Sequence, residues 1–259
     1  MRALYAAAAA AVFAGLAVFR RDLVLQAWQA SAHQFSLGGA PRAKLAAEIL
    51  LLGGIFAFVL KTIPSRAKPK KDALTVIIAG ALGFLVEAWG TRTGLWSYYT
   101  GERPPLWIIP AWSLGALVLD RVARALEERF SRRIPETALA ALSDALLLFF
   151  ALFGGAFAAA CGAGPMHWLL PACLALGLRW ARAPLDAWVL AGGLPCVFFA
   201  DLWGTTNLCW TYRCAQGHSS AGTGMGILFG MLLDSCVVLA SLKLAGTLDA
   251  IGGAGPTKT

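Results

Sequence analysis

The sequence predicts an all-α, polytopic membrane helix bundle, and three observations carry that expectation. Of 259 residues, 58% are hydrophobic and 14% charged, and mean hydropathy is +0.66, whereas a soluble domain carries roughly a quarter charged residues. Apolar stretches of about 20 residues, enough to cross a hydrocarbon core of about 30 Å, recur between charged clusters. Finally, EAWGTRTGLW at 87–96 returns as DLWGTTNLCW at 201–210.

Taken in order, the apolar stretches predict about eight spans, at 3–19, 45–61, 73–90, 105–120, 136–160, 166–179, 186–203 and 223–246. The first resembles a signal peptide, with one early Arg and an apolar core, but no polar mature domain follows, so it is expected to be retained. The stretch DLVLQAWQASAH after it is expected to lie flat in the interface, with Trp28 as an anchor. Basic residues cluster after the second span (Lys61, Arg66, Lys68, Lys70, Lys71) and after the fourth (Arg121, Arg124, Arg129, Arg132, Arg133). The positive-inside rule places both clusters and both termini in the cytoplasm, and loops 91–104, 161–165 and 204–222 outside. The expected location is a bacterial inner membrane. The net charge of +8 then reports topology, not a nucleic-acid partner. The six cysteines serve mainly as small apolar packing residues. Cys209 and Cys214 share an external loop and are candidates for pairing on an oxidising side.

Sliding the chain along itself exposes the repeat. With no gap, Asp72 meets Asp186, Glu87 meets Asp201, Trp89 meets Trp203, Gly90 meets Gly204, Trp96 meets Trp210, Tyr98 meets Tyr212 and Asp120 meets Asp234. Two matched Trp pairs within ten residues are not explained by shared apolarity. The predicted organisation is two four-helix repeat units, 1–135 and 136–259, with core repeats 72–120 and 186–234. An even number of spans per unit makes the repeats parallel, related by a pseudo-two-fold axis along the membrane normal. Spans three and seven facing across that axis would set Glu87 and Asp201 at one depth, in one cavity. Glu87 lies 15 residues beyond Asp72, roughly 22 Å along a helix, about one turn below the external surface.

An ionisable side chain inside a span costs on the order of 3 kcal/mol and is a functional-site candidate by default. Glu87 and Asp201 are therefore the candidate catalytic residues, one as acid and the other as base or water-orienting group. The structural alternative is that each bonds to a nearby indole or Arg and orients a loop. Trp89, Trp96, Tyr98, Trp107, Trp112, Trp203, Trp210 and Tyr212 crowd around them as candidate substrate-binding residues, because aromatic faces stabilise cations within about 6 Å. Trp and Tyr also form interfacial belts in any membrane protein, so belt and site both stand for the loop rings. Trp89 and Trp203, two positions past the acids, point elsewhere on a helix. Asp120 beside Arg121 reads as a local ion pair, Asp144 has no visible partner, and Glu48 opens the second span within possible reach of the cavity. His33, His167 and His218 show no metal-ligand spacing, and aspartate-rich diphosphate motifs and phosphate-cradling loops are absent from the sequence.

Glu87-x-x-Gly90-x-x-Thr93-Gly94-x-Trp96-x-Tyr98, followed by Pro104, Trp107, Pro110 and Trp112, resembles the E-x-x-G-x-x-T-G…Y-x-Y…P…W pattern of carotenoid hydratases acting on terminal double bonds. Asp201 with Trp210 is similar to the D…W element shared by those proteins and the small membrane lycopene cyclases. Fungal meroterpenoid cyclases are similar in placing one essential acid in each half. The match covers about 30 residues of the first unit and about 12 of the second, and it lacks the Pro-Phe-Gly of the hydratases and the paired-glutamate motif of the lycopene cyclases.

The resemblance implies proton-initiated hydration or cyclisation of an isoprenoid, with no metal or redox cofactor. Expected partners are a hydrophobic isoprenoid or lipid substrate and membrane lipids, with no nucleic acid. The expected function is protonation of an isoprenoid or carotenoid-like alkene or epoxide by the paired carboxylates. The alternative is a proton-coupled carrier or binding protein for a lipid or small amphiphile.

Overall fold

A computed structural model describes residues 2–162, 164–215 and 220–253. Nearly all of them are helical, and the chain divides into two compact units, Met1–Ala67 and Lys68–Thr259.

The first unit holds α1 (Arg2–Phe19), α2 (Arg21–Leu37) and α3 (Gly39–Thr62). α1 and α2 meet at 87°, at a break where the Arg20 guanidinium bonds the Asp22 carboxylate at 3.0 Å. Trp28, the expected interfacial anchor, is 72% exposed on α2. Consecutive positive-φ glycines, Gly38 and Gly39, turn the chain into α3. Glu48 pairs with Lys44 one turn away, at 3.4 Å.

The second unit contains α4 (Pro69–Thr93), β1 (Trp96–Tyr98), α5 (Ile109–Phe130), α6 (Glu136–Ala160), α7 (Pro165–Trp180), α8 (Asp186–Thr206), β2 (Trp210–Tyr212) and α9 (Ser220–Gly253). Across the described residues, six helices are long and apolar enough to cross a membrane, and the bent α1–α2 pair makes a seventh candidate. Of the eight expected spans, the one at 166–179 falls on α7, an apolar helix shorter than the six full-length candidates. Its 16 residues reach only about 24 Å, short of a hydrocarbon core of about 30 Å. Pro171 inside α7 packs on Gly154 of α6, where an added Cβ would approach the proline Cβ to 3.0 Å.

α4 packs on α5 and α9, and α8 packs on α9 and α5. The packing units thus do not follow the expected 135/136 boundary, because helices from either side of it interleave in one bundle. Nor do the acid-bearing helices face one another directly as expected: α5 and α9, in contact with each other, supply their principal neighbours.

Where loops were expected, the chain forms a two-stranded antiparallel ribbon. α4 ends at Gly94 in the left-handed region, φ 72°, a conformation glycine adopts without steric cost. Leu208, 114 positions on, takes the same region after α8, φ 56°, so the turn is retained where the side chain disfavours it. The chain then enters β1 and β2, pairing Trp96 with Tyr212, Ser97 with Thr211 and Tyr98 with Trp210. The Tyr99 N–H donates to the Cys209 carbonyl at 3.1 Å and the Arg213 N–H to the Leu95 carbonyl at 2.8 Å. A shift of 114 residues exchanges these pairs two by two and maps Ser97–Thr211 onto itself, so the ribbon is two-fold about Ser97 and Thr211.

Cys214 pairs with Cys161 at the end of α6, across a Cα separation of 5.9 Å. This corrects the expected Cys209–Cys214 pairing. Cys209 has its backbone N–H and carbonyl engaged in the turn and the ribbon and takes no part in that disulfide.

The opposite end of the bundle is held by charge. Arg121 bonds Asp72 at 2.6 Å and Asp120 at 2.5 Å. Arg124 bonds Asp120 at 3.0 Å, and Lys71 stands 3.7 Å from it. Asp144 does have partners, Arg179 at 3.1 Å and Arg182.

Candidate functional site

The site builds from a spacing. Glu87 and Gly90 are three residues apart on α4 and share a face. Because Gly90 has no side chain, the Trp96 ring lies against the helix there; a Cβ would collide with it. From that position the Trp96 indole donates to Glu87 Oε2 at 3.0 Å. Asp201, Gly204 and Trp210 repeat the arrangement: a Cβ at Gly204 would strike the Trp210 ring, and Trp210 is a hydrogen-bond partner of Asp201. Thr91 and Thr205 each return a hydroxyl hydrogen bond of 2.6 Å to the carbonyl of the acid, Glu87 and Asp201 respectively.

The ribbon supplies the phenols. Tyr98 donates to Glu87 Oε1 at 2.9 Å, and Tyr212 lies 3.3 Å from both oxygens of Asp201. Burial first, then the neighbouring carboxylate charges, raise both phenols well above the ordinary tyrosine value. They stay protonated and act as donors. Glu87 and Asp201 are each 4% exposed, so both expected catalytic acids are buried beneath one ribbon.

The two halves differ in one swap of volume. Trp112 lies over Gly83, where a Cβ would strike its ring, and donates to Glu87 Oε1 at 3.1 Å. Its mate 114 residues on is Gly226, and that of Gly83 is Val197. At Gly226 a Cβ would meet the Tyr212 ring, and at Gly230 it would meet the Asp201 carboxylate and the Tyr212 hydroxyl. Asp201 is thus pressed against the α9 backbone, while Glu87 is capped by a third donor.

Rings join the two acids. Trp96 stands edge-on to Tyr212 at 6.3 Å and Tyr98 lies 5.9 Å from Trp210. Phe229 contacts Trp96 at 6.5 Å and stacks on Phe157 at 4.4 Å. Trp96, Tyr98, Trp112, Trp210 and Tyr212, read in the sequence as substrate-binding rings, all hydrogen-bond an acid. Trp89 stands edge-on to Trp96 at 5.9 Å, and Trp107 edge-on to Tyr98 at 5.5 Å. Among the described residues, the Trp107 and Trp203 indole nitrogens are buried without a hydrogen-bond partner.

Sequence reasoning missed Gly83, Gly226 and Gly230, whose roles are empty space, and it gave Asp234 only as the mate of Asp120, with no role of its own. Asp234 stands one helical turn beyond Gly230 on α9, and the Asp201 carboxylate lies against Gly230; the signal lay in the residues that surround position 234. Among the described residues, no group of three His, Cys, Asp or Glu side chains is arranged to hold a metal ion. His218 and the side chain of His167 lie outside the described residues. No known family model, curated protein or solved structure matches the chain.

Proposed function

We propose that the chain is an integral membrane enzyme that protonates an isoprenoid alkene or epoxide and so drives hydration or cyclisation. The observation that carries this reading is the pairing of two buried acids, 114 residues apart, each held by its own indole and phenol under a shared aromatic ribbon. The resemblance of the Glu87–Trp112 segment to carotenoid hydratases supplies the substrate class.

The donor sets divide the roles. An indole N–H can only donate, and Glu87 accepts from two indoles and one phenol. It works as the anionic acceptor, opposite a developing cation. Asp201 has fewer and longer contacts, with Tyr212 at 3.3 Å, and is the proton donor. Its O–H bond breaks as the alkene π pair forms a C–H bond, leaving a carbocation and the Asp201 carboxylate. In hydration a water oxygen adds to the cation and releases a proton; in cyclisation a second double bond closes the ring and a neighbouring C–H releases it. Either route returns one proton to the site. Glu87 and the faces of Trp96, Tyr98, Trp210 and Tyr212 lower the energy of the intervening cation.

In the same reading, the bundle descends from a duplicated four-helix unit, giving eight segments in two parallel repeats. The two-fold register of the ribbon supports this. A disulfide at the ribbon end suits an oxidising compartment, and the Lys and Arg clusters gather at the other end. Both favour a bacterial inner membrane with the ribbon outside and the termini in the cytoplasm.

The test is solvent isotope. In D2O, protonation of an alkene leaves one deuterium on carbon in the product. A protein-dependent lipid carrying that label supports the enzyme; protein-dependent uptake of a chemically unchanged lipid would support a proton-coupled carrier instead.

A further inference from the structure

Asp120 and Asp234 are mates at the 114-residue offset, yet they are treated in opposite ways. Asp120 is clamped by Arg121, Arg124 and Lys71. The corresponding positions around Asp234 hold Ser235, Val238 and Leu185. The acid is retained and every cation that neutralises it is gone. Ser235 donates back to the Met231 carbonyl at 2.6 Å. The one cation placed nearby in sequence, Lys243, lies nine residues further along α9 and pairs with Asp186 at 2.6 Å.

What Asp234 does have is Asp201. Gly230 is one helical turn before Asp234 on the same face of α9, and the Asp201 carboxylate occupies the space a Cβ at Gly230 would fill. Helical side chains lean toward the N-terminus of their helix, so the Asp234 carboxylate leans over that gap, about 6 Å of rise from the Gly230 level. Its charged and titratable neighbours are Asp201 on α8, Glu87 on α4, Tyr98 and Tyr212 on the ribbon, and Cys236 on its own helix; among the described residues α5, α6 and α7 add none.

We infer that Asp234 and Asp201 form a proton-sharing pair, in which Asp234 holds the proton that reloads Asp201 after each turnover. The O–H bond at Asp234 breaks as the one at Asp201 forms, and the negative charge moves to Asp234. The proton released by the product cation then restores Asp234. This inference rests on Asp201 as proton donor, and it assigns a role to a half-buried acid that the chemistry above leaves unused. Two carboxyl groups that share a proton titrate as a pair, with midpoints that belong to both.

The experiment is an infrared titration of the purified full chain in nanodiscs, without substrate, following the carboxylic-acid C=O stretch of wild type, Asp201→Asn, Asp234→Asn and Asp234→Glu. Each asparagine substitution is expected to move the other acid's titration midpoint by about one pH unit or more, the size at which two sites count as coupled, and by equal amounts, as linkage requires. Asp234→Glu retains the coupling. If Asp234→Asn does not fold, Asp201→Asn read at the Asp234 band supplies the same comparison. Midpoints that are identical with and without the other acid would overturn the pair. Because the readout needs no substrate, it separates from the proposed reaction: coupling without any deuterated product removes the enzyme and leaves the pair.

Discussion

Trp96 and Tyr212 stand edge-on at 6.3 Å and hold different acids, Trp96 bonding Glu87 and Tyr212 bonding Asp201. Tyr98 and Trp210 repeat the relation with the roles exchanged. Each strand therefore serves its own acid while packing on the ring that serves the other. A disturbance at one acid reaches the second through two ring contacts, with no direct pairing of α4 and α8.

The glycines that seat the indoles give the first prediction. Gly90→Ala and Gly204→Ala each drive a methyl into an indole ring, and overpacking of this kind costs about 1–3 kcal/mol. Gly115→Ala, where an added Cβ meets no atom within 4 Å, is neutral or gains up to about 1 kcal/mol from helix propensity. Thermal denaturation in detergent ranks the three. Equal midpoints for Gly90→Ala and Gly115→Ala would show that the indole does not lie on the helix.

Trp112→Phe keeps the ring over Gly83 and removes one of three donors to Glu87. A hydrogen bond to a charged group contributes about 1.5–3 kcal/mol, so stability falls by that amount. In a Glu87→Gln background the loss is smaller, since the acceptor no longer carries a full charge. A double-mutant cycle measures the difference; a coupling of zero would detach Trp112 from Glu87.

At the far end, Arg121→Met removes the guanidinium that bonds the buried Asp72 at 2.6 Å and is expected to cost about 3–5 kcal/mol, as for a buried pair broken on one side. Asp72→Asn combined with Arg121→Met recovers a large part of that loss. Unfolding midpoints of the two variants check it, and a double variant less stable than Arg121→Met alone would contradict the assignment.

The Cys161–Cys214 bond gives a prediction about sidedness. Replacing either cysteine by Ser costs about 2–4 kcal/mol. In intact cells, a membrane-impermeant thiol reagent labels these two positions only after external reduction. Labelling solely after the membrane is opened would put the ribbon in the cytoplasm.

Much of this was legible in letters because it depends on periodic apolarity and on residues that stand out in an apolar chain. The helices, the 114-residue offset and the burial of Glu87 and Asp201 came from such signals. The ribbon did not, since three residues on each side form strands only by pairing across 114 positions, and WSY or WTY alone carries no strand signal. α7 is apolar like the longer helices but only 16 residues long, so composition marked it as a span while its length stays below that of the six full-length candidates. Cys161 was passed over because its partner is brought near by the packing of α6, not by sequence proximity. Asp234 was legible in principle: comparing the two halves at positions 185, 235 and 238 shows the lost cations.

The central claim, that Glu87 and Asp201 together run proton chemistry on an isoprenoid, is tested most directly by lipid extraction. Cells supplying linear polyenes with terminal double bonds would carry wild type, Glu87→Gln or Asp201→Asn, with membrane levels of the protein matched by immunoblot. The account predicts a wild-type-dependent product, either heavier by one water or an isomer with a new ring, and its loss in both variants. Wild-type product levels in either variant would contradict it.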